Sequence, residues 1–351
     1  LRLVGSEMCI RDSGMAGSVN TPPNKDIRWE KTTTVNVGVD FALFRHRLSG
    51  TIEYYNKYSV DLLAAINGSP TQGFGYTTLM TNNGKMVNRG VEITLSGEII
   101  RQKDFSWNAS LLYAFNRNKV KHISVQPSLW DSRISMPTSY PMVGKPLYGI
   151  YAYKWAGLNE NGDPQVYDAE NNVTSGPARD YHALVYCGTT VPIHNASLTN
   201  VLRYKGFEFS AMLILDAGHK LRSSNIPSIN MSNGRITSTA KGIVDRWTQP
   251  GDVTDVPRLL FSNDTENFNT HRTELYRYSD LFVYDASNIR LSNISLAYRV
   301  PAHWCKKISL SGARLQFNVE NVATFAFDSK ANYDLGGKVK PNYVWGLYLN
   351  F

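Results

Sequence analysis

Asp163, Asp168 and Glu170 lie close together in one polar stretch, and clustered carboxylates at short spacing can wrap a hard cation such as Ca²⁺. The full pattern of a calcium loop is missing, however, and Asn161-Gly162-Asp163-Pro164 reads as an ordinary turn. The seven histidines, among them His182, His194 and His219, show no metal-ligand spacing. Cys9, Cys187 and Cys305 are isolated, with no CxxC pair. No nucleophile motif accompanies a Ser, His or Asp, so neither an enzyme nor a metal or cofactor site is expected. The side chains that remain are aromatic. Trp130, Tyr140, Tyr148 and Trp155 are the candidate substrate-binding residues, because a ring offers large apolar area with a polar handle for a sugar face or a peptide.

The scaffold that would carry them is written with a period of two. Val35, Val37, Val39 and Phe41 alternate with Asn36, Gly38 and Asp40, and Leu48 to Tyr54 repeats the pattern after the short turn Phe44-Arg45-His46-Arg47. Val91 to Ile99, the turn Arg101–Asp104 and Phe105 to Phe115 form a second hairpin. On the latter strand Trp107, Ala109, Leu111 and Tyr113 oppose Asn108, Ser110 and Asn116. Ala196–Arg203 with Phe207–Leu215, and Ile289–Val300 with Ser309–Asn318, give two more hairpins, the last turning over Pro301 to Lys307. Each strand is expected to run about 8–12 residues, enough for a tilted strand to cross a bilayer. About nine strands are expected, with weaker candidates near Leu62 and Phe282. Between hairpins lie long polar segments, Ser59–Lys85, Ile123–Pro146, Asn159–Pro192 and Gly218–Thr273, so short turns face one side and long loops the other. The aromatic run Tyr148–Trp155 is read as a further strand with an interfacial girdle, in preference to a ligand-contacting loop.

Composition fits this pattern. Charged residues are 19% and aromatics 12%, with 20 Tyr in 351 residues, while mean hydropathy is −0.30. No run of about 18 apolar residues occurs, which excludes a helical membrane protein. A barrel can span lipid and still look hydrophilic on average. The net charge of +8 comes from scattered residues, 37 Lys+Arg against 29 Asp+Glu, with no basic run beyond Lys306-Lys307. No nucleic-acid partner is expected.

The closing strand Tyr343–Phe351 is the most telling. Tyr343, Trp345, Leu347, Leu349 and Phe351 share one face, and Trp and Tyr favour the headgroup boundary of a bilayer. It resembles the sorting signal read by the outer-membrane assembly machinery, polar-x-Gly-x-x-apolar-x-aromatic. Gly346, Leu349 and Phe351 match, and Val344 stands where a polar residue is usual. At the other end the first residue is Leu, and Val4-Gly5-Ser6-Glu7-Met8-Cys9-Ile10-Arg11-Asp12 has no amphipathic period. Residues 1–17 resemble translated sequencing-adapter read-through and are expected to be non-native and disordered, leaving 18–351 as the barrel portion.

Several segments in order resemble the SusC/RagA family of TonB-dependent outer-membrane transporters. They are Asp26-Ile27-Arg28-Trp29-Glu30-Lys31-Thr32-Thr33, Gly38-Val39-Asp40-Phe41, Asp61-Leu62-Leu63, Asn82-Asn83-Gly84 and Asn88-Arg89-Gly90-Val91-Glu92. Asp104 to Asn108, Phe115 to Val120, Tyr204-Lys205-Gly206-Phe207, Asp245-Arg246-Trp247, Ile289 to Tyr298 and Glu320 to Phe325 continue the series. The resemblance covers residues 24–351 almost throughout. It implies an all-β, antiparallel transmembrane barrel of 22 strands, of which this chain supplies the C-terminal part without the plug domain. It also implies import of glycans, oligosaccharides or peptides in a Bacteroidetes-type bacterium. The implied partners are the lipid bilayer, a SusD-like surface lipoprotein and a TonB complex reached through the N-terminal part. The rival reading is a soluble extracellular carbohydrate-binding β-sandwich, which would show shorter, evenly spaced strands.

Overall fold

Nine strands pair in sequence order into one antiparallel wall. They are β1 (Lys31–Leu43), β2 (Leu48–Asn67), β3 (Thr78–Arg101), β4 (Phe105–His122), β5 (His194–Tyr204), β6 (Phe207–Ala217), β7 (Asn288–Arg299), β8 (Gly312–Ala326) and β9 (Asn342–Asn350). The computed structural model describes residues 24–67, 78–124, 132–176, 180–231, 239–261, 270–307, 309–336 and 340–351. The segment expected to be read-through lies outside them. A single sheet of nine neighbours is a barrel wall and not the two packed sheets of a sandwich.

The register decides what each face shows. Val39 pairs with Ile52 and Ile52 with Ile93, and Ile93 then meets Tyr113. Further along, Leu111 meets Leu198, Leu198 meets Leu213, and Leu213 meets Leu291. Leu296 meets Phe317, which meets Trp345. Directly opposed residues share a face, so the apolar alternate positions of all nine strands join into one surface. That surface is uncovered: Val39 is 61% exposed, Leu347 61% and Trp345 77%. The opposite face carries Asp40, Thr51, Glu92, Ser110, Asn195, Asp216, Arg290 and Gln316. A continuous apolar face of this extent suits hydrocarbon, and its polar reverse suits water.

Turns and loops divide as expected, with differences that have local causes. Lys205-Gly206 closes the β5–β6 hairpin with Lys205 at φ 53, and Phe44, Arg45 and His46 all take positive φ between β1 and β2. The turn over Pro301 is helical at Ala302–Lys307, burying Cys305, so β8 begins at Gly312 and not at Ser309. Ser59–Lys85 is not one long loop. Strands β2 and β3 continue through it as far as they are described, reaching 20 and 24 residues, well past the expected length. A bulge makes this possible: Asp61 takes φ 57 where the β2–β3 register shifts. Asn82 holds the bulge, its amide donating to the carbonyls of Asp61 (2.6 Å) and Arg28 (2.8 Å) while its oxygen accepts from the Arg28 N–H (2.7 Å). Gly84 is required beside it, because a Cβ there would lie 2.9 Å from the Cβ of Leu62. The weak candidate near Phe282 is the short strand Val283–Asp285, paired with Lys220–Arg222 outside the wall.

Orientation on β4 yields a direct test. Leu111 lies on the apolar face and its neighbour Ser110 on the polar one, where the Ser110 and Ser96 hydroxyls are 3.2 Å apart. Leu111→Arg is expected to destabilise insertion into bilayers by about 2–4 kcal/mol, against about zero for Ser110→Arg. Single cysteines in the full-length protein read the same register. A water-soluble thiol reagent should modify positions 108 and 110 and spare 109 and 111; the reverse pattern would invert the assignment.

Candidate functional site

Two surfaces can do chemistry: the polar face of the wall, and the folded unit that the long connections build at the end opposite the tight turns.

On the polar face, charges are cross-linked across strands. Glu208 receives Arg203 (2.7 Å) and Arg314 (3.1 Å), drawing together β5, β6 and β8. Asp216 receives the Asn195 amide (2.7 Å) and Arg290 (2.9 Å), drawing together β5, β6 and β7. The Thr51 hydroxyl donates to Asp40 at 2.6 Å. Gly90 leaves room for the Tyr55 ring, whose hydroxyl would lie 2.4 Å from any Cβ there. Among these polar groups Leu112 is half exposed and stands beside Ile214, in a recess of about 280 Å³ that also holds Glu92, Thr94, Asn195 and Asp216. This surface thus presents fixed hydrogen-bonding groups of both charges.

The connections 123–193 and 218–287, which contain the expected loops Ile123–Pro146, Asn159–Pro192 and Gly218–Thr273, bury cores of their own. Tyr151, Tyr153, Val166, Ala183, Leu184 and Leu275 pack together, and Ile229, Tyr276 and Phe282 form a second cluster. Strand Gly149–Tyr153 pairs with Leu184–Thr189, away from the wall, and every residue of it is buried. Within the run Tyr148–Trp155, read as one girdle strand, Gly149–Tyr153 is an inner strand and Trp155 opens a second one, Trp155–Leu158; Tyr151 and Tyr153 fill a core and form no membrane girdle. The helix Thr270–Arg277 places Leu275 and Tyr276 into the two clusters.

Ion pairs bind the segments together. Asp163 accepts from Arg258 (3.0 and 2.8 Å) and from Arg272 (3.1 Å), whose side chain is only 4% exposed. Both Asp163 oxygens are thus engaged by guanidinium groups. Asn159 and Asp168 accept backbone N–H groups of their own turns, so this stretch is a pair of side-chain-capped turns. Burial pushes the Arg272 guanidinium down, and the Asp163 carboxylate opposes that shift. Arg222 donates to the carbonyls of Tyr151 (2.6 Å) and Ser279 (3.3 Å). Asp334, from the β8–β9 connection, accepts from the Ser223 and Ser224 hydroxyls at 2.7 and 2.6 Å. The pairings made by Asp163, Arg222 and Asp334 are not local: Asp163 and Arg272 are 109 residues apart. The sequence spacing therefore carries no signal of them.

The candidate aromatics occupy different settings. Trp130 lies outside the described residues. Tyr140 is buried, its carbonyl receiving the Arg133 side chain at 3.4 Å. Trp155 packs on Tyr276 with ring centroids 5.9 Å apart and donates its indole N–H to Asp255 at 2.9 Å. Tyr148 presents its ring to solvent. At the terminal strand, Gly346 and Val344 oppose Gln316 and Asn318 on the polar face, while Leu349 opposes Ala313 on the apolar face. Phe351 ends that apolar row fully in the open, and the Ser311 hydroxyl bonds its carbonyl at 3.3 Å.

Residues 4–322 match the family model of TonB-dependent receptor-like β-barrels. The curated TonB-dependent receptor P3 of Formosa agariphila is 26% identical, over 96% of this chain and 34% of its own length. The TonB-dependent receptor SusC of Bacteroides thetaiotaomicron is 25% identical, over 85% of this chain and 29% of its own. A solved structure described as the RagAB peptide transporter aligns with a TM-score of 0.75 at 22% identity, covering 99% of this chain and 38% of that one. The chain spans about a third of the length of the curated relatives it matches.

Two outcomes follow from the loop unit. Asp163→Ala leaves Arg272 buried without its carboxylate, and a cost of about 3 kcal/mol is expected. Hydrogen exchange on the full-length protein should show faster exchange in 149–167 and 270–276 than in the wall; unchanged protection would refute the role of Asp163. Burial, helped by the Asp280 charge, pushes the Cys187 thiol up to about 11. A raised value favours the unreactive protonated form below that pH. Alkylation of Cys187 should thus be slow at neutral pH and rise about tenfold per pH unit towards pH 10. A rate already level by pH 9 would contradict the assignment.

Proposed function

The chain belongs to the TonB-dependent receptor-like β-barrel family, and on that premise we propose that it is the C-terminal wall of an outer-membrane active transporter of the SusC/RagA type. The observation that carries this reading is the uninterrupted apolar face of nine paired strands, backed by a polar face of cross-linked charges. In a bilayer the first face meets lipid and the second lines the lumen. The tight turns then point to the periplasm, and the folded unit of the long connections stands at the cell surface. Solutes taken up are glycans, oligosaccharides or peptides too large for passive pores. Energy comes through a TonB complex engaging the N-terminal part of the whole protein, and a SusD-like surface lipoprotein covers the outer mouth. Of the described candidate aromatics, Tyr148 is best placed to touch cargo, since it is the exposed one. Tyr140 and Trp155 would act by shaping the unit that presents it.

Uptake by cells carrying the full-length gene tests this. Import of oligosaccharides or peptides should disappear on deletion of TonB and fall on deletion of the neighbouring lipoprotein gene; import that persists without TonB would sink the reading. Assembly supplies a separate check. Removing Phe351, or changing it to Asp, should greatly reduce the amount of full-length protein in the outer membrane, whereas normal levels would mean the strand end is not read.

A further inference from the structure

One part of the apolar face is not a smooth strip of aliphatic residues. Near the turn end of β6–β9 two aromatic ridges rise from it. Phe207 lies against Tyr298 with ring centroids 4.5 Å apart, and Phe317 lies against Trp345 at 4.2 Å. Between the ridges Leu296, Leu315 and Leu347 floor a groove of about 390 Å³ whose lining is almost wholly apolar. The connection between β7 and β8, two of the strands that line it, is of the opposite character. Tyr298 stands one residue before the end of β7, and Leu315 three residues after the start of β8. Between those strands lies the helix Ala302–Lys307, which exposes Trp304, Lys306 and Lys307. No ion pair of Lys306 or Lys307 is found among the described residues. A slot for a hydrocarbon chain thus lies on the two strands whose connection carries a pair of ammonium groups without ion pairs, flanked by an exposed indole, a residue type that settles at the headgroup level.

We propose that this groove binds one anionic phospholipid of the periplasmic leaflet, its acyl chain between the ridges Phe207–Tyr298 and Phe317–Trp345 and its phosphate against Lys306 and Lys307. The inference rests on the membrane reading above. Charge complementarity selects the occupant: a chain without a negative head would leave both lysines unanswered, and a water-soluble anion would leave the groove unfilled.

The test uses the full-length protein in bicelles of equal parts phosphatidylglycerol and phosphatidylethanolamine, followed by native mass spectrometry of retained lipid. The wild type should retain phosphatidylglycerol in preference. Lys306→Gln with Lys307→Gln should weaken that retention about thirtyfold, since each lysine beside an anionic lipid surface contributes roughly fivefold. Leu315→Trp, which fills the groove and leaves both charges, should abolish retention, while Leu111→Trp on a distant strand should not. Equal retention of the two lipids by correctly inserted wild type would overturn the proposal, as would indifference to the lysines. So would a dimer that Leu315→Trp converts to monomer, because the groove would then be a contact between copies. Failure of the wild type to insert into bilayers at all is a different result, and it would overturn the membrane reading together with this site.

Discussion

In hydrocarbon a backbone N–H or C=O has no water to turn to, so each strand of a membrane wall must find its partners in its neighbours. Everything else in this protein is arranged around that requirement. Seven of the nine strands meet it on both sides by pairing consecutively, and the outermost two, β1 and β9, on one side each; consecutive pairing demands tight turns at one end. Once paired, the strands can differ only in register. A shift of one residue anywhere would carry a row of valines and leucines to the aqueous side and a row of Asp, Glu and Arg to the lipid. The register is therefore the most constrained quantity in the fold. Where the chain departs from it, the departure is local: the shift between Met212 and Leu213 coincides with the one between Leu291 and Asn293, and both outer rows return to the same face beyond it. Asn321, at φ 53, sits in this irregular stretch.

The polar face is held by a different interaction. Its charges are joined across strands by bridges such as Arg203–Glu208–Arg314 and Asn195–Asp216–Arg290. Each bridge joins residues of three strands, and the first passes across β7 to reach β8. Partly exposed pairs of this kind add little stability one by one. What they do is fix the positions of the polar groups on that face. The recess at Leu112 and Ile214 interrupts them with an apolar patch between Glu92 and Asp216.

The unit built from the long connections follows the rules of a water-soluble domain. Its aromatic core, with Tyr151 and Tyr153 buried almost completely, draws on both long connections, Leu275 of the second completing the cluster of the first. The Asp163–Arg258–Arg272 node lies within it, and Arg222 joins the strand Gly149–Tyr153 to the segment before Phe282. Asp334 adds the β8–β9 connection through Ser223 and Ser224. Because the wall delivers the starts and ends of these connections to one end, segments remote in sequence become neighbours there.

Alternation alone determined the wall. Val35 to Phe41, Phe105 to Phe115 and Tyr343 to Leu349 each state a strand and its apolar face without help from elsewhere, because a strand's side-chain period is a local property of the backbone. The short polar stretches between them likewise state the turns. The motifs Asp61-Leu62-Leu63 and Asn82-Asn83-Gly84 were visible as well, yet not their purpose. Only pairing of β2 with β3 turns them into a clamped bulge that carries both strands onward through a segment that reads as loop. The same holds for the aromatic run Tyr148–Trp155, legible as strand but not as the inner strand Gly149–Tyr153. Its burial is decided by Leu184–Thr189 and the helix Thr270–Arg277, which are distant in the chain. Period and turn chemistry are short-range and can be read residue by residue. Which strand an aromatic row faces, and which arginine reaches Asp163, depends on contacts closed across about a hundred residues, and no local spacing encodes those.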